Sequence, residues 1–451
     1  MQAGALAAEP PARAPAPGLL LGSPPVSPPG DRGALPGVSS VMWYVSTRGM
    51  APRVDFEGAL FSGYAPDGGL YMPEELPQLD RETLRQWSTL SYPDLVKELC
   101  ALFIGPQLIS RDDLTGLVDR AFSRFRHKEV VHLSRLRNGL NVLELWHGVT
   151  YAFKDLSLGC TAQFLQRFLE KRKQRVTVVG RLPPSSHPGT SGDTGSAAIE
   201  SVHGAKNVDI IVLLPKGHCT RIQELQMTTV LRENVHVFGA GCIAQKMGLP
   251  IHLAVVVNCN DIIHRTVQRG DFSLSGAVKP TLASAMDIQV PYNMERIFWL
   301  LSGSDSQGTR ALMEQFERTQ SVSLPEELHS KLSEAVASES VSDETITQTM
   351  SRCWEENRYL LCPHSAVAVS YHYQQTDRQQ PSPPRCCLAP ASAAKFPEAV
   401  LAAGLTPETP PEILALERKE ARCVAMRKGD DWTLMLRDTI ESLSRQRVIS
   451  S

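Results

Sequence analysis

The sequence predicts an α/β fold in which parallel sheets are flanked by helices. Short apolar strands alternate with longer helical patterns through the middle of the chain, an order typical of a parallel sheet covered on both faces. One predicted helix begins at Lys154, and another begins at the glycine- and hydroxyl-rich turn Thr190–Ser196. Because ligands in such folds lie at the carboxyl ends of strands, we expect this turn to border the functional site.

The elements of this region follow from the spacing of apolar residues. From Leu156 to Phe168 they recur at every fourth position, which predicts a helix that begins at Lys154 and ends in the basic run 171–173. Runs of apolar and β-branched residues predict the strands. The further predicted elements are, in order, strand Val176–Val179, a helix from Thr190 through Ser201, strand Val208–Leu214, a helix near Arg221–Arg232, the short strand Val235–Phe238, a helix beginning near Ile243 and strand Leu253–Val257.

Composition and charge exclude several classes of protein. The formal net charge of −2 gives no reason to expect a nucleic-acid or anionic-membrane partner. No apolar run is long enough to span a bilayer. The ten cysteines show no metal-ligand spacing, so we expect no metal site and a reduced, cytoplasmic chain.

The first 41 residues differ in composition from the rest of the chain. They are rich in proline, alanine and glycine and offer little apolar surface to bury, so we expect them to be disordered. Their leucine run, Leu19–Leu21, is too short for the apolar region of a signal peptide. The folded part is therefore predicted to begin at Met42.

The segment Leu145–Asp155 places Lys154 directly after an uncharged run that contains Trp146, Tyr151 and Phe153. A lysine in desolvated surroundings loses its proton more readily, and its neutral amine can then form a Schiff base. The enzymes that most often use such a lysine depend on pyridoxal 5'-phosphate (PLP). The alternative is a surface lysine whose stem packs on the helix while its ammonium group stays in water.

The turn Thr190–Ser196 places small hydroxyl residues and glycines at a predicted helix start. Free backbone N–H groups and the positive end of the helix dipole suit a carboxylate or a phosphate there. The alternative is a capping turn closed by Ser191 or Asp193. Two other patterns also have two interpretations: Asn258–Asp261 lines a cleft or forms a turn, and His364 acts as a general base or begins a helix.

Together these motifs resemble the threonine synthase family, whose members are PLP-dependent enzymes with the tryptophan synthase β-like fold (fold type II). The resemblance covers roughly Met42 to Leu436. The segments that carry it are Tyr44–Gly49, Ala65–Pro73, Leu145–Asp155, Thr190–Ala198, Asn258–Asp261, Ser284–Ile288, Asn293–Arg296, Pro363–Ala368 and Ala394–Ala399. The resemblance implies an N-terminal domain at 42–135 after the extension at 1–41, a PLP-dependent α/β core at 136–258, and a second α/β domain with the C-terminal region at 259–451.

The resemblance also implies roles for individual residues. Lys154 would bind PLP as a Schiff base and then move the α-proton of the substrate. The substrate's carboxylate or phosphate would be held by the turn whose members are Thr190, Ser191, Gly192, Asp193, Thr194, Gly195 and Ser196. Relatives place hydroxyl residues near the pyridine nitrogen of the cofactor. Pro390 replaces a threonine in that segment, which leaves Ser392 as the cofactor-binding hydroxyl.

The reaction implied by the resemblance is elimination of phosphate from a small phosphorylated amino acid. The chain resembles those members of the family that are similar to catabolic phospho-lyases. Such enzymes act on O-phosphothreonine or O-phosphohomoserine, and the products are 2-oxobutyrate, ammonia and phosphate. The replacement of threonine by Pro390 argues against threonine synthesis itself. The resemblance implies no particular oligomeric state.

The chain departs from the family pattern at two places. The proline-rich insert Arg181–Gly189 separates a strand from the anion-binding turn, whereas relatives join the two almost directly. A long stretch of the family, including the glycine-rich loop around the PLP phosphate, is missing between Gly239 and Ile243. Gly239 and Gly241 form either a minimal phosphate loop or two incidental glycines at a splice junction. We therefore expect an incomplete sheet with exposed apolar surface. The alternative function is a catalytically impaired splice form that acts as a binding or secreted signalling protein.

Overall fold

The N-terminal region consists of a two-stranded antiparallel ribbon and four helices. The computed structural model describes residues 41–180, 192–202, 205, 207–212, 222, 226, 236–378, 384–418 and 430–449. The elements of this region are β1 (Tyr44–Ser46), α1 (Phe56–Phe61), β2 (Tyr71–Pro73), α2 (Arg81–Trp87), α3 (Tyr92–Phe103) and α4 (Arg111–Phe122). Helices α2, α3 and α4 begin where the side chains of Asp80, Ser91 and Ser110 accept hydrogen bonds from backbone N–H groups of the first turn.

The central region alternates strands and helices. Its elements are β3 (His132–Arg135), β4 (Leu140–Glu144), α5 (Lys154–Arg172), β5 (Val176–Gly180), α6 (Gly192–Val202), β6 (Val208–Val212), α7 (His236–Lys246) and β7 (Leu253–Val257). The helix that begins at Lys154 and the strand Leu253–Val257 are confirmed as predicted. β5 pairs with β6 in parallel, and α5 packs against α6.

The C-terminal half supplies a second parallel pair and completes the sheet of β4. Its elements are α8 (Ile262–Arg269), β8 (Asp271–Ser273), α9 (Met294–Leu301), α10 (Ser306–Thr319), β9 (Ser321–Ser323), α11 (Glu326–Ala335), β10 (Val336–Ser340), α12 (Asp343–Asn357), α13 (Pro363–Asp377), β11 (Arg385–Ala389), α14 (Pro397–Ala402), α15 (Pro411–Leu414) and α16 (Trp432–Ile449). β10 lies parallel to β7, and β11 lies parallel to β4 with Ala389 opposite Glu144. The predicted parallel sheets flanked by helices are confirmed, and within the described residues each sheet has two or three strands.

The core lies in apolar clusters around these sheets. One cluster surrounds β4 and β11 and includes Leu140 and Met350. A second surrounds β7 and β10 and includes Phe298, and a third fills the space between α4 and α5 around Phe168. Because burying one such side chain stabilises the fold by about 1.5–3 kcal/mol, these clusters hold the strand ends in place.

The predicted short strand Val235–Phe238 is wrong, because His236–Phe238 belong to α7. The helix predicted to begin near Ile243 starts at His236 instead and passes through Gly239 and Gly241. An apolar run of this length fits a strand or a helix equally well, and packing decides between them. A Cβ atom at Gly241 would lie 2.7 Å from Leu253 Cδ2, so this glycine allows α7 to approach β7. The two glycines are therefore helical rather than part of a phosphate loop.

Several predicted features lie outside the described residues. They are the insert Arg181–Gly189, the turn residues Thr190 and Ser191, the end of the strand predicted to reach Leu214, and, apart from Ile222 and Gln226, the helix predicted near Arg221–Arg232. The first 40 residues of the N-terminal extension also lie outside them.

A buried ion pair connects the N-terminal ribbon to the C-terminal half. Arg48 donates from Nε and Nη2 to the two carboxylate oxygens of Glu295 at 3.0 and 3.1 Å, and Thr47 Oγ1 donates to the same carboxylate at 2.6 Å. Burial alone would lower the pKa of Arg48, but its hydrogen bonds to Glu295 and Glu317 raise it above the ordinary value. Two segments that carry the family resemblance, Tyr44–Gly49 and Asn293–Arg296, are thereby fixed against each other.

Deletion of residues 1–41 should leave the thermal midpoint of unfolding unchanged within error. The midpoint should not change because a proline-rich segment with little apolar surface cannot add to the hydrophobic core. The measurement compares the full chain with the truncated chain by differential scanning calorimetry. A decrease of several degrees would show that the extension packs on the folded body and that the boundary at Met42 is wrong.

Candidate active site

Lys154 is buried at the first position of α5, with 3% of its surface exposed. The alternative of a surface lysine that keeps its ammonium group in water is therefore wrong. Its Nζ lies 5.7 Å from the centroid of the Phe153 ring, within the range of a cation–π interaction. The helix start thus places this amine inside the protein, beside an aromatic ring.

The segment Gly148–Phe153, called the lysine loop below, is shaped by the residue that follows Lys154. The Asp155 carboxylate accepts hydrogen bonds from both the backbone N–H and the hydroxyl of Thr150 at 2.8 Å. A Cβ atom at Gly148 would lie 2.2 Å from Asp155 Oδ2, so only glycine fits there. Tyr151 has a φ of +57°, which marks the sharp turn before the helix. Asp155 therefore sets the direction in which the chain enters α5.

The lysine loop pairs with the segment Pro390–Ser392, called the serine turn below. Phe153 N donates to Pro390 O at 2.7 Å, and Ser392 N donates to Tyr151 O at 3.1 Å. These two bonds form an isolated antiparallel bridge between Ala152 and Ala391. Strands β4 and β11 bring the two segments together because their parallel pairing ends just before them. The structure therefore places the segments that carry Lys154 and Ser392 side by side.

Ser392 is buried, and its hydroxyl can still donate a hydrogen bond. Its Oγ accepts from the N–H of Ala394 at 3.3 Å and caps the short 3-10 helix Ala393–Lys395. In the part of the chain that the structure describes, no acceptor is recorded for the hydroxyl proton of Ser392. A hydroxyl group in this state can donate to a ring nitrogen or to another acceptor on a ligand.

The predicted anion-binding turn is described only from Gly192 onwards. Gly192, Asp193, Thr194 and Gly195 form the first turn of α6, and Ser196 follows as a buried residue. The first N–H groups of a helix have no acceptor within the helix, so this turn offers donors and a positive dipole end. Its role as a substrate-binding site stays a prediction.

The polar segment after β7 is an irregular bend whose asparagine side chains are hydrogen-bonded to residues further along the chain. The side-chain amide of Asn258 donates to Thr281 Oγ1 at 2.8 Å and to Asp287 Oδ1 at 2.7 Å. Asn260 donates to Lys279 O at 2.8 Å. The bond from Asn258 to Asp287 connects the Asn258–Asp261 segment to the Ser284–Ile288 segment. The side chains of Asn258 and Asn260 therefore stabilise the fold at the end of β7.

His364 lies at the second position of α13 and is buried. Its Nε2 accepts a hydrogen bond from the backbone N–H of Ala285 at 3.0 Å. This bond occupies the ring nitrogen that would otherwise take up a proton. The role of beginning a helix therefore describes His364 better than that of a general base.

Sequence reasoning missed a hydrogen-bonded carboxylate at the end of β4. Buried Glu144 accepts hydrogen bonds from Ser134 Oγ at 2.6 Å, from Tyr359 OH at 2.8 Å and from His147 Nε2 at 2.8 Å. Burial alone would raise the pKa of Glu144, but the bonds from His147, Ser134 and Tyr359 lower it to about 2. The network anchors the chain directly before the lysine loop. The alternation of residue types along β4 is the signal that could have indicated a buried Glu144, but nothing in the sequence shows its partners.

The substitution Glu144→Gln should destabilise the protein by about 1.5–3 kcal/mol at pH 7, because hydrogen bonds to a buried charge are lost. A carboxylate whose pKa is lowered by folding stabilises the native state above its unfolded pKa. That contribution disappears as the pH falls from the ordinary value of 4.5 toward 2. The difference between the two proteins should therefore shrink over this range. Urea unfolding measures it, with exposed Glu355→Gln as the control, and equal stability at pH 7 would contradict the argument.

Comparisons with known proteins match this geometry to a family. The model of the threonine synthase N terminus matches residues 43–122, and that of the threonine synthase C-terminal region matches residues 365–435. Threonine synthase-like 2 of Homo sapiens is 70% identical, over 90% of this chain and 98% of its own length. Among solved structures, PLP-bound threonine synthase from Brucella melitensis gives a TM-score of 0.78 at 30% identity, covering 85% of this chain and 96% of its own. Threonine synthase from yeast gives 0.80 at 28% identity, covering 89% and 98%.

The fold and the buried lysine beside the serine turn define the class as the PLP-dependent enzymes of fold type II, which confirms the predicted fold class. By family the chain is a PLP-dependent lyase. The chain belongs to the threonine synthase family.

The alignment with the human relative also bears on the missing segment. The alignment spans 482 positions, but the part of this chain that it includes, 90% of 451 residues, is only about 406 residues long. The relative therefore carries on the order of 75 residues that have no counterpart here. In the described part of the chain, no helix is both long and apolar enough to cross a membrane. No group of His, Cys, Asp or Glu in that same part could hold a metal ion.

Proposed function

We propose that this chain is a phospho-lyase of the threonine synthase family. Its substrate would be O-phosphothreonine or O-phosphohomoserine. The reaction consumes one water molecule and yields 2-oxobutyrate, ammonia and phosphate. The observation that carries the proposal is the buried Lys154 at a helix start, on a loop paired with the turn that holds Ser392. The described cysteines are all free thiols, which supports a reducing compartment such as the cytoplasm.

Each residue of the proposed site has a role that its surroundings support. Bound PLP would supply an electron sink for the negative charge that develops at the substrate's α-carbon. Lys154 would hold the cofactor's aldehyde carbon and afterwards move the α-proton, since a lysine amine can serve first as a nucleophile and then as an acid–base group. The Ser392 hydroxyl would donate to the pyridine nitrogen. The turn Thr190–Ser196 would hold the substrate's carboxylate or phosphate at the N-terminus of α6.

The described residues fit the two ends of the cofactor unequally. The aldehyde end fits, because Lys154 and Ser392 lie on paired segments. The phosphate end does not, because Gly239 and Gly241 lie within α7 and do not form an open glycine-rich loop. This observation favours a second candidate function, an impaired splice form that acts as a binding or secreted signalling protein.

The test is to incubate the full chain with PLP, reduce it with borohydride and map the labelled peptides. We expect the label on Lys154, together with phosphate release from O-phosphothreonine once the missing segment is restored. A label on Lys216 or Lys395 with none on Lys154 would contradict the assignment of the lysine. Phosphate release by the restored chain but none by the present chain would favour the second candidate, and a label on Lys154 without phosphate release from the restored chain would contradict the phospho-lyase assignment.

A further inference from the structure

Lys395 is a second buried lysine next to the proposed site. Its side chain is fully buried, and its Nζ donates a hydrogen bond to the backbone carbonyl of Thr150 at 2.9 Å. Burying an ammonium group is unfavourable unless hydrogen bonds replace its water. The carbonyl that receives this bond belongs to the lysine loop. The charge of Lys395 is therefore used to hold the loop that presents Lys154.

The backbone around Lys395 holds the serine turn at the same time. Lys395 N donates to Ser392 O at 3.2 Å, and Ala394 N donates to Ser392 Oγ at 3.3 Å. One residue thus contacts both segments of the proposed site. Its side chain reaches the lysine loop, while its main chain closes the turn that carries Ser392.

The residue after Lys395 anchors this arrangement to the rest of the fold. Phe396 is buried, and its ring packs on His364 with the centroids 4.6 Å apart. His364 in turn accepts a hydrogen bond from Ala285 N. Because these contacts fix the main chain of Lys395 on α13 and on the Ser284–Met286 turn, its side chain reaches the lysine loop from a rigid support.

We propose that Lys395 is a positioning residue that sets the spacing between Lys154 and Ser392 and does not itself carry the cofactor. The inference rests on the proposed function, in which Lys154 and Ser392 contact opposite ends of one ring system. Without the ammonium group, the carbonyl of Thr150 loses a buried charged donor and the lysine loop relaxes. The bridge between Ala152 and Ala391 then no longer fixes the direction of the Lys154 side chain.

The experiment uses pyridoxal, which lacks a phosphate and so does not depend on the missing phosphate loop. The full chain and the variants Lys395→Met, Lys395→Arg and Lys331→Met are incubated with pyridoxal, reduced at fixed times and mapped by mass spectrometry. Lys331 is an exposed lysine and serves as the matched control. Hydrogen exchange of the peptide 145–153 is followed in parallel.

We expect Lys395→Met to label Lys154 at least about tenfold more slowly, since a misplacement of ~1 Å can cost on the order of a hundredfold. Exchange should rise in peptide 145–153 while the core strands β7 and β10 stay protected. Lys395→Arg should label Lys154 almost normally, because its guanidinium group can donate to the same carbonyl. Lys331→Met should match the unsubstituted chain.

Equal labelling of Lys154 in Lys395→Met and in the unsubstituted chain would overturn the inference while leaving the proposed function intact. A label on Lys395 instead of Lys154 in the unsubstituted chain would overturn both. If Lys395→Met does not fold, Lys395→Arg decides the question. Retained labelling then supports the positioning role, and slow labelling with native exchange elsewhere contradicts it.

Discussion

This chain is expected to bind PLP at least about a thousandfold more weakly than a version that carries the missing segment between Gly239 and Ile243. A Schiff base alone does not hold the cofactor, because its phosphate must be met by several backbone N–H groups in a preformed turn. In the described structure this region is the helix α7 rather than a preformed glycine-rich turn. Each lost charge-assisted hydrogen bond is worth roughly 1.5–3 kcal/mol, so losing three corresponds to about three or more orders of magnitude in affinity.

The measurement titrates both proteins with PLP and follows the absorbance of the bound cofactor. The restored version carries the aligned residues of a relative at the junction and lacks the insert Arg181–Gly189. A third protein that lacks only the insert separates the two changes, and we expect it to bind as weakly as the present chain. Equal affinity of the present and restored chains would falsify the argument and show that the helical junction still accommodates a phosphate.

Local sequence patterns predicted those helices and strands whose buried face matches the spacing of their apolar residues. The helix from Lys154 has an apolar face at every turn, and strand Leu253–Val257 is a continuous apolar run in a parallel pair. Residues Val235–Phe238 show the limit of this reasoning. Their apolar run is too short to favour either state, and His236–Phe238 are part of the helix that approaches Leu253 closely at Gly241. Such an approach depends on residues beyond the run and cannot be seen within it.

The candidate site was predictable only in its separate parts. The motif around Lys154 indicated a buried lysine, and the resemblance indicated Ser392. The bridge between Ala152 and Ala391 joins segments far apart in the chain, so no local pattern could show it. Lys395 was missed for the same reason, although its flanking Ala394 and Phe396 are as apolar as the residues before Lys154. An apolar neighbourhood around a lysine is the signal that could have found it.

Replacing Lys154 in the restored chain should have the second large effect. We expect Lys154→Met to lower the rate of phosphate release from O-phosphothreonine by at least about 10³-fold, because a positioned acid–base group alone contributes roughly 10²–10⁴-fold. Methionine keeps most of the apolar stem that is buried at the start of α5, so the thermal midpoint should change little. Lys154→Arg should be equally inactive, since a guanidinium group stays protonated and cannot serve as a nucleophile or a base.

The control for this experiment is Lys331→Met, an exposed lysine whose ion pair with Glu327 contributes little to stability. Lys395→Met distinguishes chemistry from positioning. If Lys154 performs the proton transfer and Lys395 only holds its loop, Lys395→Met should still release phosphate at a reduced rate. Lys395→Arg should then be faster than Lys395→Met, whereas Lys154→Arg should be as inactive as Lys154→Met. A Lys154→Met protein that releases phosphate within tenfold of the restored chain would show that another group moves the proton. The buried amine at the start of α5 would then have only a structural role.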